Sequence, residues 1–297
     1  SEDFFGLDDF SELPDLKQLE ALFEGPQYLH WRNFRNSDDS RNVGLTLPKF
    51  MLRPTYGENI PVRGFNYQES IQAKSDYLWG NSAYAYATRL NNSFAKYRWC
   101  PNIIGPQSGG EVADLPINIV NISGTEKIEG PVEVSISDRK EYELSELGFI
   151  PLTLRKDADS AVFFSSNSAQ QPKKFSNDEE GRQAEVNFKL GTQLPYLFIV
   201  NRLAHYVKVL QRENLGSWKS RSELESELNK WIRQYVADQD NPSAATRSQR
   251  PLRKALITVS EIVGDAGWYS VGLEVTPHFK FMGANFTLSL TSILERA

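Results

Sequence analysis

The sequence predicts an α+β fold: a mixed sheet with flanking helices, a central helical hairpin and a C-terminal β-hairpin. Two patterns carry that expectation. Between Thr192 and Asp240, apolar residues recur at helical spacing, first at Tyr196, Val200, Leu203, Val207 and Leu210. After the stop signals Asn214 and Gly216 they recur at Leu224, Leu228, Trp231 and Tyr235. Near the C-terminus the period changes to two. Tyr269, Val271, Leu273 and Val275 alternate with Ser270, Gly272 and Glu274, and Phe286, Leu288 and Leu290 alternate with Thr287, Ser289 and Thr291. Gly283-Ala284-Asn285 between them supplies a turn, so the chain is expected to end in an antiparallel pair.

The remaining elements follow in order. Residues 1–27 are expected to form a lead-in, its first twelve residues acidic, punctuated by Gly and Ser, and mobile. Leu13 to Phe23 within it reads as a short helix stopped by Gly25-Pro26, and Tyr28 to Phe34 as another. Ser37-Asp38-Asp39-Ser40 is a turn. Val43 to Leu52 is apolar and long enough for a strand, with Pro48 placing it at an edge or a bulge. Asn81 to Tyr97 is helical, with Tyr84, Ala87, Leu90, Phe94 and Tyr97 at helical spacing. Pro131 to Ser137 alternates as a strand does. A short helix from Glu141 to Leu147 ends at Gly148, and Phe149–Leu154 and Ala161–Phe164 are strands. The polar stretch 166–187 is expected to be loop-rich, as is 242–251. Leu252 to Val263 alternates weakly, and Phe279 and Phe281 continue a strand after Pro277. In the hairpin, Ser217 or Ser220 can cap the second helix, and Asn201, His205, Lys208 and Arg212 form the polar face of the first.

Composition bounds the function. A chain of 297 residues is one large domain or two. A net charge of −5 argues against a nucleic-acid partner, which would call for a basic surplus. The single cysteine, Cys100, excludes an internal disulfide and fits a reducing cytoplasm. The sequence shows neither a signal peptide nor an apolar run near 18 residues, so no membrane insertion is expected.

No constellation for catalysis emerges. Gly105 to Glu111 is glycine-rich but lacks the Lys-Ser/Thr of a phosphate-binding loop. His30, His205 and His278 lie far apart, outside any metal-ligand spacing, so neither a metal nor another cofactor is expected. Cys100 and the serines match no nucleophile signature. Asp38 and Asp39 are adjacent and suit a turn better than an acid–base pair. Arg202, Lys208 and Arg212 repeat along one helix and are candidates for contact with an acidic partner. A soluble hydrolase or transferase using dispersed acids such as Asp39 and Glu111 is the alternative.

Several ordered blocks together resemble one family. They include Trp31-Arg32-x-Phe34-Arg35-x-Ser37, Gly44-Leu45-x-Leu47-Pro48-Lys49-Phe50 and Tyr77-Leu78-Trp79-Gly80-Asn81. Asp138 to Leu144, Gly148 to Leu152, Gln193 to Leu197, Arg202 to Tyr206, Gly267-Trp268-Tyr269 and Pro277 to Ala284 follow. The chain is similar over residues 28–294 to the large sheath subunit of the type VI secretion system, the TssC/VipB/EvpB family. The N-terminal part of that subunit is absent. The resemblance implies a contractile phage-tail-sheath-like fold over 28–297, no enzyme activity and a cytoplasmic bacterial location. It also implies partners: the small sheath subunit (TssB/VipA), other copies in a helical sheath, the Hcp inner tube, the baseplate, and the ClpV ATPase through the absent N-terminal part. The terminal strands of such subunits interlock, which singles out Phe286, Thr287, Leu288, Ser289, Leu290 and Thr291, on an edge that can accept a partner's strand.

Overall fold

The computed structural model describes residues 2–7, 12–13, 16–57, 61–122, 125–156, 159–214, 219–239, 242–262, 269–278 and 288–294, with backbone alone at 2–3, 16–17, 118–122, 125–129 and 288–294. The chain divides into two compact units. The first comprises Ser1–Asn92 and Asn102–Gln171, the second Ser93–Pro101 and Pro172–Ala297.

The first unit opens with helices α1 (Glu2–Phe5), α2 (Leu16–Glu24) and α3 (Leu29–Arg35). Strands β1 (Leu45–Leu47), β2 (Phe50–Met51) and β3 (Trp79–Gly80) precede α4 (Ser82–Tyr97), whose residues from Ser93 on belong to the second unit. Then come β4 (Glu111–Val112), β5 (Asn118–Ile122), β6 (Thr125–Glu129), α5 (Asp138–Glu146), β7 (Phe149–Leu154) and β8 (Ala161–Phe163). The main sheet is mixed, in the order β1-β7-β8-β4, with β1 parallel to β7 and the other pairs antiparallel. Its inner strand β7 is buried along almost its whole length, which is why it reads as an apolar run rather than an alternating one. Ser137 caps α5, accepting from the Lys140 amide, and Gly148 ends it at φ +87°. A β-carbon at Gly148 would lie 3.1 Å from Ala169 Cα, so glycine is required for space as well as conformation.

The lead-in is corrected. Phe5 is buried, and Phe4 and Phe5 join Phe23 and Phe149 in a cluster of aromatic rings 5.3–6.2 Å apart. An apolar side chain of that size stays on the core because exposing it costs about 1.5–3 kcal/mol. Arg35, also buried, donates from Nε to the Ala169 carbonyl (3.0 Å) and from Nη2 to the Glu146 carbonyl (3.4 Å), at the negative end of α5. Burial brings its guanidinium pKa down to about 10. Nearby in sequence, Arg53 forms a two-pronged pair with Glu69 (2.6 and 2.8 Å) and lies 3.9 Å over the Tyr56 ring, while the Tyr56 amide donates to Glu69. These bonds, with the Arg53 side chain first among them, hold the Glu69 pKa at about 2.

Other expectations also change. Val43–Leu52 is not one strand: it divides at Pro48, β1 pairing with β7 and β2 with β3, because proline has no amide to continue a ladder. Pro131 to Ser137 is irregular; Val132 makes a lone bridge to Phe50, and Ile136 is buried without a strand around it. The hairpin β5–β6 was not anticipated. In α4 the buried face is Ser82, Ala85, Tyr86 and Ser93, whereas Tyr84 (73% exposed) and Phe94 point outward.

The second unit contains α6 (Glu179–Gly191), α7 (Leu194–Glu213), α8 (Arg221–Arg233), α9 (Ala244–Gln249), β9 (Leu252–Glu261), β10 (Tyr269–Pro277) and β11 (Leu288–Leu294). The helix α6 overturns the expectation of loop for its stretch; Asp178 caps it, accepting from the Gly181 amide (2.6 Å). Ser243 likewise caps α9 where a connection was expected. The three strands form an antiparallel sheet in the order β11-β10-β9. The expected turn at Gly283-Ala284-Asn285 and the expected strand at Phe279 and Phe281 lie outside the described residues.

Candidate assembly interface

Helices α7 and α8 both pack against the C-terminal sheet. Pro195 stands in the first turn of α7, where its missing amide costs nothing, and Asn214 ends the helix. Ser220 and Glu223 form a capping box at α8: Ser220 accepts from the Glu223 amide and Glu223 Oε2 accepts from the Ser220 amide (2.8 Å). The predicted stripe of α7 is buried at Tyr196, Val200, Leu203 and Val207, with Ile199 beside it. On α8, Leu228 and Ile232 are buried while Leu224 and Trp231 are partly so, which turns the apolar axis slightly from the predicted one, and the partly buried Tyr235 lies just past the end of the helix. These side chains meet Leu252, Ile257 and Val259 of β9 and Val271, Leu273 and Val275 of β10 in one core. The alternation predicted for β10 is therefore its inward face.

The strand β11 pairs along its length with β10. Leu288 stands opposite Val275, Ser289 opposite Glu274, Leu290 opposite Leu273 and Thr291 opposite Gly272. The ladder continues to Leu294 opposite Tyr269. The sheet order makes β11 an edge, and among the described residues its outer side carries no ladder. Of the predicted interface residues, Leu288, Ser289, Leu290 and Thr291 lie in this strand, whereas Phe286 and Thr287 fall outside the described residues.

The three basic candidates of α7 do not share one environment. Lys208 and Arg212 are exposed. Arg202 is turned into its own unit. Its guanidinium lies 4.7 Å from the Trp99 ring, 5.0 Å from Phe94 and 5.3 Å from Tyr206. It donates to the Arg98 carbonyl and, from Nη2, to the Tyr206 hydroxyl (2.9 Å). Arg202 thus fastens the segment Ser93–Pro101 to α7, at a turn where Arg98 adopts φ +64°. Trp99 and Tyr235 stack edge to face at 5.2 Å, and Trp231 and Tyr206 extend the aromatic chain. Helical spacing places Arg202 on a face; it carries no sign that a distant aromatic segment covers that face.

The other candidate chemistries are held in structural contacts. Glu111 is paired with Arg155 (2.7 Å), and hydrogen bonds from Arg155 and Ser160 lower its pKa. Asp39 is exposed in a short 3₁₀ helix, Asp38–Asn42. The Gly105–Glu111 stretch is a tight turn in which the Gly110 amide donates to the Gly105 carbonyl (2.9 Å) and the Gly105 amide to Phe163 (2.8 Å). Burial raises the Cys100 thiol pKa, with Arg202 opposing it. Burial, then the charges of Arg247 and Arg253, lowers that of His278. Among the described residues, no group of three or more His, Cys, Asp or Glu could hold a metal ion, and no helix is long and apolar enough to cross a membrane.

Comparison with known proteins adds sequence-wide likeness to this geometry. Residues 1–170 match the family model described as "EvpB/VC_A0108, tail sheath N-terminal domain". Residues 183–294 match the one described as "EvpB/VC_A0108, tail sheath gpW/gp25-like domain". The chain is similar to a protein of Pseudomonas aeruginosa named "Type VI secretion system sheath protein TssC1", at 38% identity over 297 residues. That match covers 98% of this chain and 59% of the relative's length.

Proposed function

The chain belongs to the EvpB/VC_A0108 tail sheath family, and on that premise we propose that it is a subunit of a contractile type VI secretion sheath, built with a small sheath subunit and further copies around an inner Hcp tube. The family is one of structural sheath proteins, and the chain is accordingly not an enzyme. The observation that favours strand exchange as the mode of assembly is the edge position of β11: among the described residues its outer side pairs with no strand, so its backbone groups can accept a neighbour's. Each added backbone hydrogen bond contributes only about 0.5–1.5 kcal/mol net, so the tether gains its strength from several bonds repeated at every subunit. Contraction is then a change between two packings of the same subunits, with the exchanged strands as the links that persist. Lys208 and Arg212, exposed on α7, are proposed contacts to a neighbouring subunit or the tube. Baseplate attachment, and ClpV engagement through sequence outside this chain, complete the proposed set of partners.

The test is electron microscopy of the full-length subunit co-expressed with the small subunit. Long, hollow, ridged cylinders are expected, and a charge reversal at Lys208 is expected to shorten or scarcen them at low salt more than a neutral change does. Soluble, unassembled protein from the wild-type pair would overturn the reading.

A further inference from the structure

The two edges of the C-terminal sheet differ. The outer side of β9 is already bonded, by side chains of α8. The Ile257 amide donates to Asn229 Oδ1 (3.0 Å), and Asn229 Nδ2 donates to the Ile257 carbonyl (2.6 Å). Two residues on, the Val259 amide donates to Glu225 Oε2 (3.2 Å), and Arg221 Nη1 reaches the Val259 carbonyl (3.5 Å). At the start of the strand the Leu252 amide donates to the Tyr235 carbonyl (3.2 Å), and the Ala237 amide to the Leu252 carbonyl (2.9 Å). A carboxamide presents an acceptor and a donor side by side, the same pair that a peptide group of a neighbouring strand presents. Asn229 Nδ2 also donates to the Glu225 carbonyl (2.9 Å), so both its hydrogens are used and the amide has one productive orientation. Arg221, Glu225 and Asn229 are four residues apart and share one face of the helix.

We infer that α8 acts as a permanent surrogate strand: Asn229, Glu225 and Arg221 occupy the β9 edge and confine strand addition to β11. The inference rests on the proposed role of β11 as the strand-accepting edge. It adds a direction to assembly. A sheet open on both sides could also pair β9 with β9 of a second copy, a contact that competes with ordered growth. Leu256, exposed on β9 at 48%, would make such a contact favourable. Asn229 is then a specificity-determining residue, acting by what it keeps away.

The experiment uses the full-length subunit purified with its small partner. In Asn229→Ala, exchange of the Ile257 amide should accelerate about tenfold, the equivalent of one lost hydrogen bond, and the protein should form larger, salt-resistant oligomers. Adding Leu256→Lys in the same chain should return the oligomers to the wild-type size, because two facing lysines oppose β9–β9 pairing. An Asn229→Ala protein that is merely less stable, with unchanged size, overturns the inference. So do oligomers that Leu256→Lys leaves intact. Should Asn229→Ala fail to fold, the wild-type protein still decides: the Ile257 and Val259 amides must be protected from exchange, and rapid exchange at both overturns it. Cylinder formation by the wild type is scored separately, so a failure of the sheath reading leaves the β9 measurements standing on their own.

Discussion

Leu203 and Lys230 show how a single side chain registers its surroundings. Leu203 is fully buried in the core between α7 and the sheet, while Lys230 on α8 is exposed. Leu203→Ala is expected to cost about 2–5 kcal/mol, the range for truncating a packed leucine. Lys230→Ala is expected to stay within about 0.5 kcal/mol of wild type. Denaturant melts of the two variants check this, and equal losses would refute the helical phase. Glu69 offers a pH test. Its pKa falls from 4.5 to about 2 in the folded chain, so its stabilisation is complete above the unfolded value and is lost as pH falls between them. The melting-temperature gap between wild type and Glu69→Gln should therefore be present at neutral pH and close as pH falls from 4.5 to about 2. A gap that persists in acid would show that the pair with Arg53 is not its source. At this scale the sequence was legible where burial follows hydropathy, as at Leu203. It was misleading at Tyr84 and Phe94, which are exposed, because the buried face of α4 combines Tyr86 with the small residues Ser82, Ala85 and Ser93. Small residues allow close approach, and a hydropathy pattern does not register that use.

Among the elements, α7, α8, β7 and β10 were legible because each has a clear period or an unbroken apolar run bounded by stops. The helix α6 was not, since its polar composition hides a helix whose signal is the cap at Asp178 followed by Glu179 and Glu180. Pro131–Ser137 alternates like a strand yet has one bridge and no ladder, because alternation reports burial on one side and says nothing about a partner. The closure of β9 by Asn229 joins residues 28 positions apart and has no local signature. The strand β11 carries the element-scale prediction. Ser289→Pro removes one amide from a strand bonded to β10 on one side and, among the described residues, paired with no strand on the other. Assembly into cylinders should be lost, with the α7–α8 core retaining a cooperative melt. Wild-type-length cylinders from this variant would show that β11 is not the interlocking strand.

At the scale of the whole chain, sequence order and compact unit do not coincide. The family matches run from 1 to 170 and from 183 to 294, but the compact units exchange a segment: Ser93–Pro101 belongs with the second. Trp99 from that segment is buried in the same core as Tyr196, Leu203 and Leu228. A fragment spanning 172–297 therefore lacks a piece of its own interior. Losing a buried tryptophan costs about 3–5 kcal/mol, a large share of a domain's stability. That fragment is expected to melt without a sharp transition by circular dichroism, and a melt as cooperative as that of the intact chain would show Trp99 to be dispensable. There is a consequence for inheritance. A recombination that joined the first half of one such gene to the second half of another would bring in a foreign 93–101 segment, with a foreign Trp99 and Arg98 facing a resident Arg202. The two halves are then expected to be passed on together, and changes at Phe94 or Trp99 should be tolerated over generations only with matching changes in α7.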